Sequence, residues 1–125
     1  MAYTFSEFSL ILQQANKTMS SKRLQQLEAL LESSPTDSFL LFAIAKEQEK
    51  LDEEEKALTY YNKLLQLDPQ YVGTYYHLAK LYEKRGQFTE ALEIYEKGMQ
   101  IARRLGDQHA LAELSSAKMN LELEL

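Results

Sequence analysis

Residues 79–98 read AKLYEKRGQFTEALEIYEKG, and residues 45–64 read AKEQEKLDEEEKALTYYNKL. Laid over each other 34 residues apart, the two stretches agree at Ala45/Ala79, Lys46/Lys80, Glu49/Glu83, Lys50/Lys84, Ala57/Ala91, Leu58/Leu92, Tyr61/Tyr95 and Lys63/Lys97, and hardly anywhere else. Scattered identities at a fixed period point to a unit that stacks on its own copies: positions that touch a neighbour are constrained, and outward positions drift. The small residues suit this. Ala45 and Ala79 fall midway along a first helix of each unit, and Ala57 and Ala91 near the start of a second, where they let antiparallel backbones approach. Tyr61 and Tyr95 follow one turn later and fill the space between one pair and the next.

The local punctuation also reads as helices. Prolines number 2 and glycines 4, and helix formers dominate, which predicts an all-α chain. Thr4 with Glu7 forms a capping-box pattern, followed by Phe5, Phe8, Leu12 and Ala15 at helical spacing, for a first helix over 4–18. Ser20 or Ser21 is expected to cap a second, carrying Leu24, Leu27, Leu30 and Leu31 and ending before Ser33-Ser34-Pro35. A third carries Leu41, Ile44, Ala45 and Gln48. Asp52, with Glu55 behind it, is expected to cap a fourth, and the acidic run 52–55 sits where a helix dipole favours negative charge rather than in a metal site. Asp68-Pro69 ends that helix. A fifth carries Tyr75, Leu78, Ala79 and Tyr82. Gly86 supplies a turn, a sixth carries Ala91, Tyr95, Gly98 or Met99, and Ile101, and Gly106-Asp107 opens a seventh whose tail frays.

The register Tyr75-x-x-Leu78-Ala79-x-x-Tyr82, then Ala91-x-x-x-Tyr95, resembles the tetratricopeptide repeat pattern at its period of 34. The earlier copy, Leu41-x-x-Ile44-Ala45-x-x-Gln48, Ala57-x-x-x-Tyr61, Pro69, departs at Leu41 and Gln48 and has Asp52 in place of the turn glycine. In the later copy Arg103 stands where the closing proline would be. Pro35 lies one period before Pro69, at the end of a copy over 4–37 with the right length but with Ile11 and Arg23 at the small positions. The resemblance implies one domain: a degenerate repeat at 4–37, repeats at 38–71 and 72–105, and a capping helix at 106–125. It further implies a right-handed superhelix of antiparallel helix pairs, with a concave face lined by the first helix of each pair. The atypical end units favour a complete small array over a fragment of a longer one.

If Tyr75, Leu78, Ala79 and Tyr82 face the stack, then Tyr76, His77, Lys80 and Lys84 face away, and in the earlier copy so do Phe39, Phe42, Lys46 and Lys50. Aromatic side chains rimmed by lysines suit a groove for a peptide or protein segment with apolar anchors and acidic groups. Two possibilities stay open: these residues line a groove, or the phenylalanines are core and the lysines a solvated face. Glu49 and Glu83 are placed to pair with the lysines. Some members of the family clamp a chaperone tail through a set pattern of Lys and Asn. Here Phe42, Lys46 and His77 stand where that pattern is needed, so chaperone-tail binding is not expected.

The first helix raises its own question. In the repeat register Phe5, Phe8 and Leu12 would face the groove, with Glu7 and Gln14 facing the stack. Either the helix is rotated within the chain, the favoured expectation, or another molecule covers its apolar stripe. The alternative function is therefore a structural domain that forms a homodimer through its terminal helices.

Other function classes fit poorly. A net charge of -5 argues against nucleic-acid binding. With no cysteine there is no disulfide, thiolate site or cysteine nucleophile. His109 and Glu113 share a helix face but lack a third ligand, so no metal and no cofactor are expected. Ser115-x-x-Lys118 has the spacing of a penicillin-binding nucleophile motif without its companions. No glycine-rich phosphate loop is present, and the expectation is a non-enzyme. The start lacks the form of a signal peptide, the apolar run 39–45 is too short to span a bilayer, and the first stripe has no basic flank for a membrane surface, so a cytoplasmic protein is expected.

Overall fold

The computed structural model describes residues 2–125. They form six helices: α1 (Phe5–Ser33), α2 (Ser38–Lys50), α3 (Glu54–Leu67), α4 (Gly73–Lys84), α5 (Phe88–Leu105) and α6 (Gln108–Glu124). Among the described residues there is no strand. Contacts divide the chain into two compact units, one through Tyr60 and one from Tyr61 onward.

In the first unit the helix expected over 4–18 and the one expected to start at Ser20 or Ser21 and end before Ser33-Ser34-Pro35 are one helix of 29 residues. Its start is as expected. Thr4 Oγ1 accepts from the Glu7 amide at 3.1 Å, and the Glu7 carboxylate accepts from the Thr4 amide at 3.0 Å. The break at Ser20 does not occur. No proline or glycine interrupts residues 17–22, and Thr18 Oγ1 is absorbed by bonding back to the Gln14 carbonyl at 3.0 Å. Ser20 is buried, and its hydroxyl bonds to Glu47 instead of capping. The second half of α1 packs on α2 through the 4-3-4 spaced face Ser20, Leu24, Leu27 and Leu31. Asp37 starts α2 by accepting from the Leu40 amide at 3.0 Å, and Leu41, Ile44, Ala45 and Gln48 are buried on it as expected.

The first helix is not rotated to bury its stripe. Phe5 is 89% exposed, Phe8 52% and Leu12 49%, so the favoured expectation of rotation is overturned. Asp52 also differs from expectation. It adopts φ 59°, the left-handed conformation taken by Gly86 (φ 76°) one period later. Its role is the turn, and the helix-opening carbonyl comes from Glu53, which accepts from the Ala57 amide at 3.0 Å. An aspartate tolerates this backbone better than most residues, because its short polar side chain bonds locally, but glycine does so without strain.

In the second unit α5 packs against both α4 and α6. Ala91, Tyr95, Gly98, Met99 and Ala102 are buried on it, as are Tyr75, Leu78 and Ala79 on α4. A Cβ added at Gly98 would stand 2.6 Å from Tyr75 Cβ and 3.0 Å from Leu114 Cδ1, so only glycine lets α4, α5 and α6 meet here. Gly106 takes φ 71°, and Asp107 caps α6 by accepting from the Ala110 amide at 3.0 Å. The tail stays helical to Glu124 because Leu114, Ala117 and Leu121 are all buried along α6.

Candidate protein-binding faces

On α2 the core residues occupy one side, and Phe39, Phe42, Lys46 and Lys50 fall on the other by their helical spacing. Phe39 is 64% exposed, and Phe42 and Lys46 are half-buried. Lys50 is drawn away from this set. Its ammonium lies 3.3 Å from Glu47 Oε1, and it lines a hollow of about 630 Å³ with Lys17, Met19 and Arg23 of α1.

Glu47 was not singled out in the sequence, yet it organises this end of α2. Its side chain is 5% exposed, and Arg23 Nη1 donates to it at 2.9 Å. Burial pushes the carboxyl up. Hydrogen bonds from Arg23, Ser20 and Lys50, with the Lys50 charge, outweigh that and hold it below the ordinary carboxylate value.

On α4 the outward residues contact one another. The Tyr76 and His77 rings meet edge-on with centroids 5.4 Å apart, and the Lys80 ammonium sits 5.8 Å from the Tyr76 centroid. Lys80 also lies 3.7 Å from Glu83, the partner expected for it. Glu83 in turn accepts from the buried Tyr95 hydroxyl. Burial, then this hydrogen bond and the Glu83 charge, drive the Tyr95 phenol far up, so it remains a donor at any physiological pH. The outward face of α4 is thus tied to the core through one carboxylate. Tyr75 is anchored from below: its hydroxyl donates to the Pro69 carbonyl at 2.6 Å. Lys84 continues the exposed edge one turn on.

Beside Tyr76 is a cleft of about 200 Å³ that sequence reasoning missed. Val72 and Gly73 of the α4 entry form one wall, and His109, Ala110, Glu113 and Leu114 of α6 form another. No spacing rule within one helix could have found it, because its walls come from two different helices, α4 and α6. His109 and Glu113 meet at 3.6 Å on the exposed side of α6. Among the described residues no cluster of three or more histidine or acidic side chains is placed to hold a metal ion, and no helix is long and apolar enough to cross a membrane.

Comparison with known proteins agrees with this architecture. A family model described as tetratricopeptide repeat matches residues 50–115. The fold is similar to that of a tetratricopeptide repeat domain protein from Salinibacter ruber, 43% identical, with a TM-score of 0.66 over 69% of this chain and 96% of that chain. It is similar in fold to PcrH in complex with the chaperone binding region of PopD, with a TM-score of 0.77, 15% identity, and 99% and 98% of the two chains covered. It also matches the TPR2B domain of yeast Sti1 in complex with pHsp70, with a TM-score of 0.76, 14% identity, and 90% and 95% covered. No curated protein matches the chain. With the period, the nested alanines and the helix pairs in place, the chain belongs to the tetratricopeptide repeat family.

Proposed function

We propose that this chain is a non-catalytic, cytoplasmic module that binds a peptide or a segment of another protein. In this proposal residues 4–37 are a degenerate leading unit, 38–71 and 72–105 the repeats, and 106–125 the capping helix of one domain. Phe39, Phe42 and Lys46 of α2, with Lys50 at its margin, and Tyr76, His77, Lys80 and Lys84 of α4 contact the segment. The observation that carries it is the Tyr76–His77–Lys80 ledge. An aromatic surface is held edge-on by one neighbour and topped by a cation, beside a cleft of about 200 Å³, while the opposite side of the same helix is buried. Such a ledge offers an apolar seat and a positive charge together, and an acidic segment with an apolar anchor matches both. PcrH and the Sti1 domain, each captured with a protein ligand, make a binding role a natural use of the fold.

The test is a fluorescence titration. Acidic peptides with a leucine or phenylalanine anchor are selected on the intact chain, and the best binder is measured against Tyr76→Ala and Lys80→Glu. Each variant is expected to weaken binding roughly tenfold, about 1.4 kcal/mol. Lys80→Glu should also flatten the salt dependence, because one screened attraction is removed. Unchanged affinity in both variants would falsify the assignment of α4.

A further inference from the structure

We infer that the N-terminal half of α1 is a self-pairing seam, on which the same segment of a second copy of this chain docks antiparallel. Phe5, Phe8, Leu12, Ala15 and Met19 follow one another at intervals of 3, 4, 3 and 4 residues. That is a two-position heptad spacing, widened only at Ile11 on one flank, and it suits packing on one other helix. Phe5 is 89% exposed, Phe8 52%, Leu12 49% and Met19 58%, with Ile11 beside them at 46%. The face through which α1 packs on α2, Ser20, Leu24, Leu27 and Leu31, is turned from this seam by about a third of a helical turn. No element of the described residues covers the stripe.

Three features select a second copy as the occupant. The positions flanking the seam are Thr4, Ile11 and Thr18 on one side and Ser9 and Asn16 on the other, all uncharged. Two copies related by a two-fold axis therefore meet no like-charge repulsion, and no flanking charge selects a charged partner. The sizes complement each other when the helices run antiparallel: Ala15 of one copy falls opposite a phenylalanine of the other. A parallel pair would instead set Phe8 on Phe8 and alanine on alanine, crowding one layer and leaving a void in the next. The area also suffices. At these exposures, five large side chains from each copy would bury on the order of 1,000 Å² in total, which reaches the lower bound for a specific interface. A bilayer is a poorer occupant, because Lys17 is the only basic residue before Lys22.

The inference stands independently of the peptide-binding role, since none of the seam residues lies on α2 or α4. Sedimentation equilibrium of the full chain at high micromolar concentration is expected to give about twice the 14.5 kDa chain mass. Phe8→Glu with Leu12→Glu should return the monomer with an unchanged far-ultraviolet circular dichroism spectrum, because both side chains are exposed. The milder Leu12→Ala should raise the dimer dissociation constant by roughly tenfold, which keeps the test open if the double variant misfolds. A wild-type chain that stays monomeric overturns the inference. So does a dimer that survives the double substitution, or a monomer that is helix-stabilised only by phosphatidylcholine vesicles. Peptide affinity measured on the same variants should not move, so loss of one property without the other separates the two proposals.

Discussion

Helices α2 and α4 stand one period apart and bury the same positions: Leu40 and Thr74, Leu41 and Tyr75, Ile44 and Leu78, Ala45 and Ala79, Glu47 and Leu81. The residues differ at four of these five pairs, sharply at the last. Where α4 seats Leu81, α2 buries a carboxylate and surrounds it with Arg23, Lys50 and Ser20. One position departs: Gln48, buried, holds the place of the half-buried Tyr82, and at the turn Asp52 holds that of Gly86. Repeat geometry decides which positions are enclosed. How each is filled is a local solution, and polar satisfaction there is incomplete: Glu47 Oε2, Gln48 Oε1 and Thr74 Oγ1 are buried without a hydrogen-bond partner among the described residues.

Four substitutions test that comparison. Leu81→Ala, at 1% exposure, should have the largest effect, lowering stability by about 2–5 kcal/mol in urea denaturation through the cavity it leaves. Gly98→Ala comes next. Its period counterpart is the buried Leu64, yet Tyr75 Cβ leaves no room, so about 1–3 kcal/mol of overpacking strain is expected, with Tyr75 displaced. A well-tolerated alanine would show that α4 and α6 are not closed on α5.

Glu47→Gln should cost less, about 1 kcal/mol, because Arg23 and Lys50 are half exposed and recover solvation. The sign with pH follows from the lowered carboxyl value. The contribution is complete above the ordinary glutamate range and is lost as pH falls through the folded-state value, so wild type should destabilise on acidification more than the variant does. Parallel acid titrations of the two chains, followed by circular dichroism, would check this. The smallest change is a gain: Asp52→Gly should stabilise by about 0.5–1 kcal/mol by relieving the left-handed backbone that Gly86 already takes at no cost. A loss there would mean that the Asp52 side chain compensates for its strain.

Much of the fold was legible in the residues. The period, the alanines at the crossings, Tyr61 and Tyr95, the capping box at Thr4 and the turns at Gly86 and Gly106 all carry local or nearest-neighbour physics, which a sequence displays directly. The ledge on α4 was legible for the same reason, since Tyr76, His77 and Lys80 lie within one turn of each other. The break at Ser20 was misread because serine signals a cap only when its hydroxyl has a nearby amide to accept from. Here it was committed to Glu47, a residue 27 positions away. The cleft beside Tyr76 depends on α6, and the burial of Glu47 on Arg23 of α1; no pattern within one helix encodes such partners.

What the sequence determined by itself was the helical repeat, because a two-helix unit with small residues at fixed intervals can bury its faces in few other ways. Tertiary structure alone decided which apolar faces found a neighbour. Periodicity marks a face as apolar in both α1 and α5, but only three-dimensional packing reveals that α5 is enclosed while Phe5, Phe8 and Leu12 stand in solvent. Burial is a relation between elements distant in the chain, and amphipathic spacing specifies just one side of it.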